Sequence, residues 1–144
     1  MENILILTVG YPRSGKSTWS RAYSEKYGVP VVNPDSIRLS LHGQDFLKQQ
    51  EPLVWYVAKV MVESLFRAGH KKVILDATSL TMMSREQWRS DKWMVRFKPV
   101  TTDKEVCKER ALKDGREYLV DVIEKMSMFN EPLDEEEQKG ILEE

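Results

Sequence analysis

The chain opens with an apolar run, Ile4 to Val9, flanked by polar residues. A run of this length without strict alternation predicts a central parallel strand covered on both faces. From about Lys16 to Tyr27 the apolar positions fall at helical spacing, and Gly28 supplies the stop. "VPVVN" predicts a short second strand. "NPDSIRLSL" predicts a helix capped by Asn33 with Pro34 at its first position. Residues 44–51 read as an irregular crossing. Leu53 to Ala68 is an apolar-rich helical segment ended by Gly69. "KVILDAT" predicts a third buried strand ending at Asp76, and a helix follows over Met82 to Arg89. "WMVRFKPV" predicts a fourth strand, less apolar and so nearer a sheet edge. Thr102 with Glu105 predicts a capping box for a helix to about Lys113. Leu119, Val122, Ile123 and Met126 predict a last helix over Leu119 to Phe129.

Strands alternating with helices predict an open α/β sheet with right-handed crossovers. Ligands of such sheets bind at the carboxyl ends of the strands. Gly10, Asn33 to Asp35, Asp76 and Thr101 to Asp103 all fall at those ends. The reading is one domain over residues 1–144, a length sufficient for a core. Methionines 82, 83, 126 and 128 read as core filling, and so do Trp19, Trp55 and Tyr56.

Composition narrows the function classes. The net charge of −1 gives no general attraction for nucleic acid, so a polyanion site needs a local cluster. The single cysteine, Cys107, excludes an internal disulfide and reads as a buried, inert thiol. No apolar run approaches the ~20 residues of a membrane span. "ILILTV" is too short for a leader and follows Glu2, so the expectation is a cytoplasmic protein with no membrane partner. Nothing in the pattern sets an oligomeric state.

The chemistry starts in "VGYPRSGKSTW". Gly10, Gly15, Lys16 and Ser17 fit G-x-x-x-x-G-K-[ST] between a strand and a helix, the setting of a P-loop. Backbone N–H groups of Arg13, Ser14 and Gly15, with the helix start at Lys16, Ser17 and Thr18, make an anion nest. This predicts binding of ATP, or another NTP, with Mg²⁺. Lys16 reaches the β and γ phosphates and Ser17 meets the metal. Arg13 stands where a glycine would be the easier choice. Its side chain is expected at the mouth with Arg38 and Arg116, there to gather an anionic acceptor or to lie in solvent.

Asp35 and Arg38 stand three residues apart, on one face of a helix's first turn. The carboxylate suits a general base for an attacking hydroxyl, and the guanidinium suits a clamp on an anionic acceptor. "ILTVGYPRSGKSTWSR", "NPDSIR", "VILDATSL" and "CKERALKDGREYLVDVIEKMSMF" resemble, in order and spacing, the P-loop kinases of the phage-type 5′-hydroxyl polynucleotide kinase family. The resemblance runs to about Pro132. It implies a P-loop kinase-type parallel sheet of four to five strands, helices on both faces and a helix-loop-helix lid near residues 103–129. It implies transfer from ATP to the 5′-OH of a DNA or RNA end, with Lys16, Ser17, Asp35 and Arg38 carrying activity. Asp76 matches a further family aspartate; it either orients Mg²⁺-bound water or caps the loop at Thr78 to Leu80. The family's lid arginine precedes a glycine, and Asp114 occupies that slot here. Arg116, then Arg110, are the lid cations expected instead. A fifth strand is missing or reduced to a few residues near Ile141. A small-molecule kinase and a nucleotide-dependent binding switch are the other readings the residues permit.

Overall fold

The structure, a computed structural model, describes residues 2–43 and 46–144. Four parallel strands, β1 (Ile4–Val9), β2 (Val31–Val32), β3 (Lys72–Leu75) and β4 (Met94–Pro99), form one sheet in the order β2-β3-β1-β4. β1 is central because both its faces are apolar. Leu5 and Leu7 point to one face and Ile6 to the other, and all three are fully buried. Its register against β3 runs from Ile4 opposite Lys72 to Leu7 opposite Leu75. Against β4 it runs from Ile4 opposite Met94 to Val9 opposite Pro99.

Helices cover both faces. On one side lie α2 (Pro34–His42) and α3 (Glu51–Arg67), with Ile37, Val54, Ala58 and Val62 packed on Leu5, Leu7, Val73 and Leu75. Trp88 and Trp93 close that core beside the short α4 (Met82–Glu86). On the other side α1 (Lys16–Tyr27) contributes Tyr23, with Trp19 beside it, against Ile6 and Ile74. The lid is a hairpin of α5 (Lys104–Lys113) and α6 (Tyr118–Phe129) with its own small core of Cys107, Ala111 and Ile123.

The local signals in the sequence are realised with some changes. Asn33 caps α2 by accepting from the Asp35 N–H (2.8 Å), with Pro34 at the first position. The predicted crossing at 44–51 contains a 3₁₀ turn at Lys48–Gln50; residues 44 and 45 lie outside the described residues. α4 is shorter than the expected 82–89. The Thr102–Glu105 capping box does not form: Asp103 precedes α5, and the Thr102 hydroxyl donates to the Ser14 carbonyl instead (2.7 Å). Met82, Met83 and Met128 are exposed rather than core filling, and so is Tyr56, whereas Trp55 packs on the core.

β4 is an edge strand, as its lower apolar content predicts. The expected fifth strand is reduced to one bridge, Phe97 to Ile141. The segment reaching that bridge starts with α7 (Glu135–Gln138) and is held by an ion pair inside the protein. Arg85 and Glu137 are 1% and 4% exposed. The Arg85 guanidinium donates to Glu137 through Nε (2.6 Å) and Nη2 (3.1 Å) and to the Ser79 carbonyl (2.9 Å). Removing one partner of such a pair strands a buried charge. Glu137→Ala is therefore expected to lower stability by about 3–5 kcal/mol, read from the urea midpoint.

Candidate active site

The site is built at the carboxyl ends of β1 and β3. Gly10 ends β1 in a space with no room for a side chain: a Cβ there would lie 2.7 Å from Ser14 Oγ and 2.8 Å from the Val100 carbonyl. Gly15 adopts φ 107°, which turns the chain into α1. Between them Arg13 holds φ 67°, a left-handed conformation costing a non-glycine residue about 1 kcal/mol or more. The first α1 amide to reach a backbone carbonyl is that of Trp19, donating to Gly15 (3.0 Å). The N–H groups of Lys16, Ser17 and Thr18 precede it and face the rim, as at any helix N-terminus. Ser17 and Thr18 are exposed there.

Lys16 is buried. Its ammonium donates to the Tyr11 carbonyl (2.7 Å) and approaches Ser14 Oγ (3.5 Å). Burial pushes its pKa down, while the charges of Asp76 and then Asp35 oppose the shift. Asp76, also buried, follows β3 and accepts from the Ser17 hydroxyl (2.8 Å). Burial pushes its carboxyl up, against the Ser17 hydrogen bond and the charge of Lys16. The Asp76 N–H donates to the Val32 carbonyl (2.9 Å), at the end of β2 just before α2, so Asp35 in the first turn of α2 stands on the same rim.

Ser17 and Asp76 are two hard oxygen donors already in contact. Mg²⁺ is bound by one or two protein oxygens with water and substrate phosphates completing the shell. The pair fits that pattern, and no group of three His, Cys, Asp or Glu side chains among the described residues offers a cage of its own. A metal held by Ser17 and Asp76 would neutralise phosphate charge.

The lid, together with Thr102 just before it, touches the loop at four points. Tyr11 packs on the lid core. Arg13 forms an ion pair with Asp114. Arg110 Nη1 donates to the Arg13 carbonyl (3.1 Å), and Thr102 donates to Ser14. Arg116 is exposed beyond the turn, where its backbone N–H closes α5 on the Ala111 carbonyl (2.9 Å). Arg13 therefore lies beside the lid turn that carries Asp114 and, two residues on, Arg116, while Arg38 is engaged by Asp35 and Glu51. Arg13 is drawn to the lid by Asp114, the residue in the slot where the resembled family carries its arginine.

Arg38 has a second partner that sequence reading missed. Its Nη1 donates to Asp35 Oδ1 (2.7 Å), and its Nε and Nη2 donate to Glu51 (2.9 and 2.6 Å). Glu51 lies 13 residues on, at the start of α3. The sequence reading placed Glu51 at the end of the irregular crossing, whereas α3 begins at Glu51 and sets it one turn before Trp55. Cys107 is buried, and burial raises its pKa, in keeping with an inert thiol.

A parallel sheet with this order, a glycine-bounded loop entering α1 and a helical lid define a P-loop kinase-type fold. The chain matches the AAA domain family model over residues 5–122, which takes in β2, β3, β4 and all of β1 but Ile4, and it belongs to that family. Among solved structures it is similar to a chain of the Pnkp1/Rnl/Hen1 complex, with TM-score 0.69 and 25% identity over 76% of this chain and 39% of that one. A chain in a structure of the Pnkp1/Rnl/Hen1 RNA repair complex gives TM-score 0.67 and 18% identity over 90% of this chain and 47% of that one. A sugar kinase from a Janibacter species gives TM-score 0.68 and 17% identity over 95% of this chain and 82% of that one. The chain therefore spans less than half of the two chains from that complex. It is a P-loop domain with a kinase-like fold, similar at a distance both to chains of that complex and to the sugar kinase. Among the described residues no helix is long and apolar enough to cross a membrane.

A pH signature follows from Asp76. Its folded pKa lies above the ordinary 3.8, so the native state holds a proton that the unfolded chain has released. Between 3.8 and the raised value, stability falls as pH rises. Asp76→Asn removes that pH dependence. The wild-type melting temperature minus that of the variant is expected to fall with rising pH across this window, without added nucleotide or metal. A flat difference would remove the buried, proton-holding Asp76.

Proposed function

We propose that the chain transfers the γ-phosphoryl group of ATP to a hydroxyl of a small, uncharged molecule such as a nucleoside or sugar. One observation carries the reading: an exposed carboxylate, Asp35, shares a rim with the Lys16, Ser17 and Asp76 cluster, and its arginine neighbour is already neutralised. Oδ1 of Asp35 takes the Arg38 hydrogen bond, and its side chain is 77% exposed. Its other oxygen is the acceptor for the substrate's hydroxyl proton as the oxygen attacks the γ phosphorus. The new O–P bond forms as the bond to the β-phosphate oxygen breaks, and ADP leaves. Lys16 and the loop amides would hold the phosphates, Ser17 and Asp76 would hold Mg²⁺, which would neutralise phosphate charge, and Arg110 or Arg116 would supply lid charge. Asp35, Arg38 and Glu51 together carry −1, which suits an uncharged acceptor better than a polyanion. The span shared with the sugar kinase, most of both chains, agrees with a small acceptor.

A second reading is a kinase of 5′-OH polynucleotide ends. The 25% identity to a chain of the Pnkp1/Rnl/Hen1 complex and the Asp35–Arg38 pair favour it. Incubation with γ-labelled ATP and Mg²⁺ separates the two when nucleosides and neutral sugars are offered beside 5′-OH oligonucleotides. Label on the small molecules supports the first reading, and label on the oligonucleotides alone replaces it with the second. No labelled product from any acceptor would turn the reading to a nucleotide-dependent switch. Asp35→Asn is expected to lower kcat about 10²-fold or more while ATP affinity stays within about twofold, measured by turnover and by titration.

A further inference from the structure

Arg38 has five N–H donors. Glu51 takes the Nε and Nη2 edge, at 2.9 and 2.6 Å, and Asp35 takes Nη1 at 2.7 Å. The side chains of Arg38 and Glu51 are 14% and 17% exposed, so water screens this pair little. The Trp55 ring lies 5.8 Å from the guanidinium carbon. Glu51 and Trp55 are one helical turn apart on α3, so one element supplies both the carboxylate and the aromatic neighbour.

The Nε and Nη2 edge is a fork that grips a phosphate or carboxylate with two parallel bonds. Glu51 fills it. An anionic acceptor must displace Glu51 or approach beside the Asp35 carboxylate, and both routes meet a cluster that already carries excess negative charge. A neutral hydroxyl compound meets no such opposition, because the carboxylate oxygens can accept from its hydroxyls.

We propose that Glu51 is a specificity-determining residue: by occupying Arg38 it turns away acceptors that carry a phosphate or carboxylate beside the reacting hydroxyl. This rests on Asp35 and Arg38 being the acceptor side of the phosphotransferase. It goes further by assigning selection against charge to a residue on a different helix.

Adenosine and adenosine 3′-monophosphate are a matched pair of probes, alike at the 5′ hydroxyl and different in charge. Their binding is measured by calorimetry with a non-hydrolysable ATP analogue and Mg²⁺ filling the phosphate loop. In Glu51→Gln, affinity for adenosine 3′-monophosphate is expected to rise about tenfold over wild type, the scale of one charge-assisted contact. Affinity for adenosine is expected to change less than about twofold. Glu51→Ala, which removes the carboxylate without adding an amide, is expected to give the same gain. No gain for the phosphorylated probe in either variant, whether binding is equal or absent, overturns the proposal. Turnover separates this from the reading it rests on. A tenfold gain in binding without transfer to any acceptor speaks against the phosphotransferase and leaves the Glu51 gate standing.

Discussion

Everything at the rim depends on two opposite charges buried at adjacent strand ends. β1 and β3 are neighbours, so the loop after one and the residue after the other are brought together by the sheet itself. Lys16 and Asp76 are both under 10% exposed, and burial works against the charged form of each. Each opposes the loss of the other's charge, and the Ser17 hydroxyl and Tyr11 carbonyl add directed hydrogen bonds. An arrangement that costs solvation in the empty protein is poised for a ligand bringing phosphate oxygens and a cation together. The rigid apolar strands Leu5 to Leu7 and Val73 to Leu75 hold the two charges in place against that cost.

The opposite side of the rim follows another logic. α2 brings Asp35 and Arg38 by sequence proximity, while α3 brings Glu51 by tertiary packing of Val54 and Ala58 on the same core as Ile37. The guanidinium is thereby fixed by two helices rather than one. Its orientation is determined by the packing of α2 against α3, and its charge is more than offset. A single arginine in the sequence thus becomes, in the fold, the centre of an acidic cluster.

What could be read from the chain was what short-range rules govern. The loop from Gly10 to Ser17, the cap at Asn33 and the buried strands were legible because their causes lie within a few residues. The edge position of β4 was legible from its polar content. Glu51 was not legible: its partner lies 13 residues away across an irregular crossing, and no periodicity spans that gap. The Thr102 cap failed because the hydroxyl finds the Ser14 carbonyl, a partner 88 residues distant in sequence. The ion pair of Arg13 was not legible for the same reason, its anionic partner lying 101 residues on in the lid. Met83 and Met128 were assigned inward on residue type alone, whereas their helices turn those positions outward.

Tyr11 belongs to two bodies at once. It is part of the loop between β1 and α1, its carbonyl receives the Lys16 ammonium, and its ring joins Cys107, Ala111 and Ile123 inside the lid. Loop and hairpin therefore behave as one mechanical part joined by an axle. A lid swinging away must either draw the Tyr11 ring out of its socket or carry the loop along. By reciprocity, any molecule that resculpts the loop alters the energy of lid movement by the same amount that lid movement alters its binding. One tyrosine thus couples the backbone that receives the Lys16 ammonium to the packing of the hairpin.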